Sequence, residues 1–160
     1  MKHTLKIICS EKDQLPFLEK VVNSTGLFPG EYLGGMMQDY FENKNSTDRW
    51  LTGLLNDKPV AIAYYAPEKL TQGTFNLYLI AIDKDFQNKG LGAELIEYIE
   101  HQLASSGSRI LIVETSGLES FENTRNFYLK CGYNKEAIIR DFYQEGEDKI
   151  VFWKKLNSFS

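Results

Sequence analysis

The sequence predicts an α/β fold: a mixed, mostly antiparallel central sheet of about seven strands flanked by about four helices, in the order β-α-α-β-β-β-α-β-α-β-β. Three observations carry that expectation. Strand-like runs at "RWLTGLLN", "PVAIAYYAPE" and "TFNLYLIAID" succeed one another across short connections, as a meander does. A long amphipathic segment then joins the third run to "SRILIVET", the pattern of a strand–helix–strand crossover. Finally, "NKEAIIRDFYQ" and "KIVFWKKL" flank the turn cluster "EGED" as a closing hairpin.

Each element has a local reason. "HTLKIIC" reads as the first strand, and Ser10 as the N-cap of a helix through "EKDQLPFLEKVV" that ends near Gly26 and carries Pro16 as a possible break in its first turn. A second helix lies within "GEYLGGMMQDYFEN", where Gly34 and Gly35 lower the helical propensity and suggest a bend. The first hairpin turns at "DK". In the crossover helix Leu91, Leu95, Ile96, Ile99 and Leu103 mark the apolar face, with Glu94, Glu97 and Glu100 on the wet side. "SRILIVET" is a continuous β-branched run suited to a strand buried on both faces in the middle of the sheet. Ser120 caps a short helix through "FENTRNFYLKC", and Gly132 stands where a left-handed residue is wanted after it.

Composition restricts the class. The 160 residues suit one domain, 1–160, without repeat or linker. A net charge of −4 disfavours nucleic acid as a partner. Cys9 and Cys131 are far apart within apolar runs and read as buried thiols. His3 and His101 are isolated, so no metal is expected. No apolar run reaches membrane-spanning length and the first residues do not form a signal peptide, which points to the cytoplasm and no membrane partner.

The segment "QNKGLGA" raises a chemical question. A helix start leaves backbone N–H groups unpaired and carries partial positive charge, so it suits an anion, and glycines let that anion approach. Gly90 and Gly92 remove obstructing side chains, and Lys89 adds a mobile positive charge. Spacing alone equally allows a merely tight strand-to-helix turn. No Walker string G-x-x-x-x-G-K-[ST] is present, and Leu95 stands where a dinucleotide fingerprint needs a third small residue.

"IAIDKDFQNKGLGAELIEYI" resembles the acetyl-CoA signature Q/R-x-x-G-x-G/A of the GCN5-related N-acetyltransferase (GNAT) family, with Gln87, Gly90 and Gly92 in the matching places. "FYLKCGY" resembles the second motif of that family, FYxxxGF or FYxxxGY, and the element order extends the resemblance over nearly the whole chain. The resemblance implies acetyl-CoA as co-substrate. Backbone of Ile80, Ala81 and Ile82 would bond the pantetheine arm, and amides of Gln87, Asn88, Lys89, Gly90, Leu91, Gly92 and Ala93 would hold the diphosphate.

The implied activity is direct transfer of acetyl from acetyl-CoA to a primary amine in a ternary complex. Such chemistry needs a neutral nucleophile, stabilisation of an oxyanion and a proton for the departing thiolate. Glu114, ending "ILIVET", stands where the family often carries a base, although a strand-end carboxylate can equally be an ordinary surface group. Tyr128, the tyrosine of "FY", is placed by the resemblance beside the sulfur as the acid; the competing reading is a packed core tyrosine. An N–H near Ile82 would polarise the carbonyl. Many members carry an asparagine seven residues before this tyrosine, where Phe121 stands here, so that role is not transferred to Asn123.

In this fold the first helices and the last hairpin border the acceptor, which points to Glu31, Tyr32, Asp39, Tyr40, Asp141, Tyr143, Glu145 and Asp148 as residues able to hold a cationic amine or simply to face water. Small-molecule, peptide and protein amines stay open. The alternative from another class is a non-catalytic acyl-CoA-binding or regulatory module of the same fold. An exposed edge in the final hairpin would allow a homodimer.

Overall fold

The computed structural model describes residues 4–157 and contains a seven-stranded sheet in the order β1-β2-β3-β4-β5-β7-β6. The strands are β1 (Lys6–Cys9), β2 (Arg49–Leu55), β3 (Lys58–Pro67), β4 (Thr74–Ile82), β5 (Ile110–Ser116), β6 (Asn134–Gln144) and β7 (Glu147–Lys155). The helices are α1 (Leu15–Thr25), α2 (Leu33–Glu42), α3 (Leu91–Ser105) and α4 (Glu122–Lys130). β4 and β5 run parallel, whereas β1–β2, β2–β3, β5–β7 and β6–β7 are antiparallel. The mixed α/β class and the element order expected from the sequence are therefore present.

The chain divides into two compact units, Met1–Ala66 with Tyr78–Ile99, and Pro67–Leu77 with Glu100–Ser160. In the first unit α1 and α2 bury Leu18, Val21, Val22, Leu33 and Met37 against Trp50, Ile62, Leu79 and Ala81 of β2, β3 and β4. These apolar side chains, removed from water together, supply the main stabilisation of that unit. In the second, β5 sits between β4 and β7, with Thr74–Leu77 matched to Ile110–Val113 and Ile110–Ser116 matched to Lys155–Lys149.

Several boundaries differ from the sequence expectations, each for a physical reason. The first helix is preceded by a 3-10 turn, Lys12–Gln14, closed by a reciprocal capping box between Glu11 and Gln14. Ser10 is not that cap, because its hydroxyl bonds Thr52 Oγ1 at 2.8 Å in the buried sheet. Pro16 lies in the first turn of α1, where its missing N–H costs nothing. Gly34 and Gly35 likewise sit in the first turn of α2 and do not break it. The β2–β3 turn is Asn56–Asp57, both with positive φ, one residue earlier than "DK". Ser120 belongs to a 3-10 turn, Glu119–Phe121, and α4 starts without a side-chain cap.

α4 ends as expected. Gly132 has φ +91°, its N–H bonds Leu129 O at 3.1 Å, and the Tyr133 N–H bonds Tyr128 O at 3.0 Å, which together form a Schellman motif. On α3 the five predicted apolar residues are all buried. Glu94 and Glu100 depart from the wet side assigned to them: both are half-buried, Glu94 accepting from Leu5 N–H at 2.7 Å and Glu100 from Tyr133 Oη at 2.7 Å and Lys154 Nζ at 2.9 Å. β5 buries only one face completely, through Leu111, Val113 and Thr115.

The cysteine expectation fails. Cys9 is exposed at the end of β1, an edge strand, and Cys131 is half-buried at the C-terminal end of α4. His3 lies outside the described residues, as does the start of the first predicted strand, and His101 is exposed on α3. Among the described residues no group of three His, Cys, Asp or Glu is placed to hold a metal, and no helix is long and apolar enough to cross a membrane.

Candidate active site

β4 ends at Ile82 and the chain passes through a 3-10 turn, Lys84–Phe86, into the glycine segment before α3. Asp83 N–H bonds Val60 O at 2.8 Å, so strand pairing holds the strand up to its last residue. Gln87 Nε2 then donates to Ile82 O at 3.0 Å, clamping the segment back onto the strand end. Ala81 is buried, while Ile80 and Ile82 are half-buried.

The backbone of the segment is turned outward. Asn88 has φ +63° and Gly90 φ +79°, conformations that L side chains rarely adopt and glycine adopts freely. A Cβ built on Gly90 would meet nothing within 4 Å, so the space above it is open. Phe86 N–H bonds Asp83 O and Glu94 N–H bonds Gly90 O, but the N–H groups of Gln87 to Ala93 donate to none of the described residues. Leu91 is buried and anchors the first turn of α3. Lys89 Nζ and Lys58 Nζ lie 5.7 and 5.6 Å from the centroid of the Phe86 ring, giving the segment two ammonium groups where the sequence had pointed to one. Unpaired amides, open space and two cations suit a diphosphate.

Tyr128 is 4% exposed on α4, with ring centroids of Phe127, Tyr133 and Phe152 at 5.3, 6.0 and 5.4 Å. Burial, and secondarily Cys131, raises its pKa well above that of a free phenol, so the side chain keeps its proton throughout the physiological range. The structure thus shows a packed core tyrosine that retains its phenolic proton.

Glu114 stands on β5 with its carboxylate engaged on both oxygens. Asn76 Nδ2, from β4, donates to Oε1 at 2.7 Å, and Lys149 Nζ, from β7, lies 2.5 Å from Oε2. The Glu114 side chain retains 24% exposure. Nothing in the local sequence announced either partner, because each is set by strand register.

Three of the eight candidate acceptor residues, Asp39, Asp141 and Asp148, are occupied in shaping their own loops. Asp39 accepts from Ser46 Oγ at 2.5 Å and Asn43 Nδ2 at 3.1 Å, and these two bonds hold its carboxyl below the usual range. Tyr40 Oη donates to Ser10 O at 3.0 Å and is raised chiefly by burial. Asp141, at φ +53°, accepts from Gly146 N–H, while Asp148 accepts from Asp141 N–H at 3.0 Å. Tyr143 is half-exposed and raised first by burial, then by Glu114 and Glu147. Glu31, Tyr32 and Glu145 are exposed. One aromatic series escaped the sequence reading: Trp50, Tyr64 and Tyr78 stack successively at 4.3 and 5.2 Å, one ring from each of β2, β3 and β4.

This sheet order, with its single described parallel pair and the open glycine segment at the head of α3, defines the acyl-CoA N-acyltransferase class of fold. The chain belongs to the acetyltransferase (GNAT) family, whose model matches residues 19–133. It is 30% identical over 93 residues to the [ribosomal protein bS18]-alanine N-acetyltransferase of Salmonella typhimurium, covering 56% of this chain and 62% of that protein. A match to an N-acetyltransferase of Methanocaldococcus jannaschii spans 53% of that protein's length, so the chain spans less than two thirds of either relative.

A crystal structure of a GNAT-family protein from Desulfovibrio desulfuricans superposes with a TM-score of 0.89 at 27% identity, covering 96% of this chain and 99% of that one. An aminoglycoside 6'-N-acetyltransferase complexed with coenzyme A shares the fold, with a TM-score of 0.77 at 16% identity over 97% of this chain and 99% of that one.

Proposed function

We propose that the chain acts as one catalytic domain that transfers an acetyl group from acetyl-CoA directly to a primary amine. The observation that carries this reading is the segment Gln87–Ala93, with its unpaired N–H groups and the open space over Gly90. Amides of Gln87, Asn88, Lys89, Gly90, Leu91, Gly92 and Ala93 would hold the diphosphate, and the backbone of Ile80, Ala81 and Ile82 the pantetheine arm. Bound acetyl-CoA supplies the activated acyl carbon and a thiolate leaving group.

In this reading Glu114 takes a proton from the acceptor ammonium, directly or through a water, leaving a lone pair for attack on the thioester carbonyl. The N–C bond forms as the C–S bond breaks, and Tyr128 delivers its proton to the departing sulfur. Its raised pKa keeps that proton available but makes phenol the weaker acid, so orientation must offset the mismatch. Relatives that acetylate an alanine amine of a ribosomal protein, and a fold neighbour named for aminoglycosides, support an amine acceptor without choosing its class. The engagement of both Glu114 oxygens favours one rival, a module that binds acyl-CoA without turnover.

Titration calorimetry with acetyl-CoA, paired with thiol release across a panel of small, peptide and protein amines, separates the readings. Saturable binding with turnover is expected. Binding without turnover supports the rival, and no saturation at millimolar acetyl-CoA overturns both.

A further inference from the structure

We infer that Asn76 and Lys149 are positioning residues for Glu114, holding its carboxylate in one orientation from the strands on either side; the inference rests on the base role proposed above. The placement follows from register. Glu114 pairs with Val151 on β7, Lys149 pairs with Ser116, and Asn76 on β4 pairs with Ile112. Side chains two residues apart on a strand share a face, so Ile112, Glu114 and Ser116 point the same way and both donors reach Glu114 diagonally.

Each donor is itself restrained. Asn76 is 1% exposed, and its amide nitrogen donates to Glu68 Oε1 at 2.8 Å as well as to Glu114 Oε1 at 2.7 Å. Its Oδ1 is buried and has no partner among the described residues, so the two carboxylates dictate how the amide is turned. Lys149 is 14% exposed at its side chain, and its ammonium lies 3.5 Å from the centroid of the Phe142 ring, a seat that holds it by cation–π attraction. A sheet position flanked by Ile112 and Val151 would be filled more cheaply by an apolar side chain than by charges and an amide. Two donors leave lone pairs on both oxygens of Glu114, so a carboxylate pinned in this way can still accept a proton from an amine or water.

The test is a kinetic double-variant cycle on the full chain. Lys149→Met and Asn76→Leu are each expected to lower kcat by about ten- to a hundred-fold, the loss typical of a misplaced group. Acetyl-CoA affinity by calorimetry should stay within about two-fold, and Lys149→Arg should recover most of the rate. Combined with Glu114→Gln, neither substitution should lower kcat further, because both act through that carboxylate. A merely structural role would give multiplying losses in the double variants. Wild-type rates in Lys149→Met, equal losses in the Met and Arg variants, or multiplying losses overturn the inference while leaving the transferase reading intact. A wild-type protein silent toward every amine overturns both.

Discussion

Replacing Gly90 by alanine tests the cradle without disturbing packing. The glycine sits at φ +79°, and an added Cβ would meet nothing within 4 Å, so the stability cost is conformational alone. A left-handed alanine costs about 1–2 kcal/mol. For a chain of this size that lowers the melting temperature by about 2–8 °C. Gly107, just past the last turn of α3, has φ +85° and equally open surroundings, so Gly107→Ala should lose the same stability. The variants should separate in acetyl-CoA binding: a methyl group among the unpaired amides obstructs close approach of a diphosphate, and a loss of about ten-fold, equivalent to ~1.4 kcal/mol, is expected only for Gly90→Ala. Calorimetry and thermal unfolding on both variants provide the comparison. Wild-type affinity in Gly90→Ala, or an equal affinity loss in Gly107→Ala, would refute the reasoning.

Other outcomes follow from the same structure. Tyr128→Phe keeps the ring in its contacts with Phe127, Tyr133 and Phe152, so melting should shift little while kcat falls about a hundred-fold or more, as loss of a general acid requires; unchanged turnover removes the role. Burial raises Tyr64 and Tyr65 to about 12 from 10.0, and raises Tyr128 and Tyr133 as well. Below pH 10 all are protonated in both states; above it the unfolded chain loses protons that the folded chain keeps, so stability falls as pH rises from about 10 to 12. Tyrosinate absorbance should then appear together with loss of circular dichroism, and ionisation of these residues near pH 10 in a folded protein would contradict this. Lys154→Met removes a donor to both Glu100 Oε1 and Cys131 O, each at 2.9 Å, and should cost about 1–3 kcal/mol in urea unfolding; no loss would show the pair to be idle.

The amino-acid order alone determined the succession of elements, the apolar face of α3, the glycine that ends α4 and the segment that heads α3, because each depends on neighbours within a few residues. Periodicity, capping and backbone freedom are local, and they were legible for that reason. Boundaries were less so: Ser10 has an N-cap's chemistry, but tertiary pairing gave its hydroxyl to Thr52. Cys9 is exposed because edge position is a property of sheet order and not of an apolar run, whereas Cys131 is half-buried because it lies where α4 ends. Glu100 has the spacing of a wet residue, but Tyr133 and Lys154, more than thirty positions away in sequence, meet it in the fold. Only the folded sheet decided what surrounds Glu114, since Asn76 and Lys149 lie 38 and 35 residues from it along the chain and are joined to it by register. A motif can name a carboxylate, but cross-strand geometry decides which donors hold it.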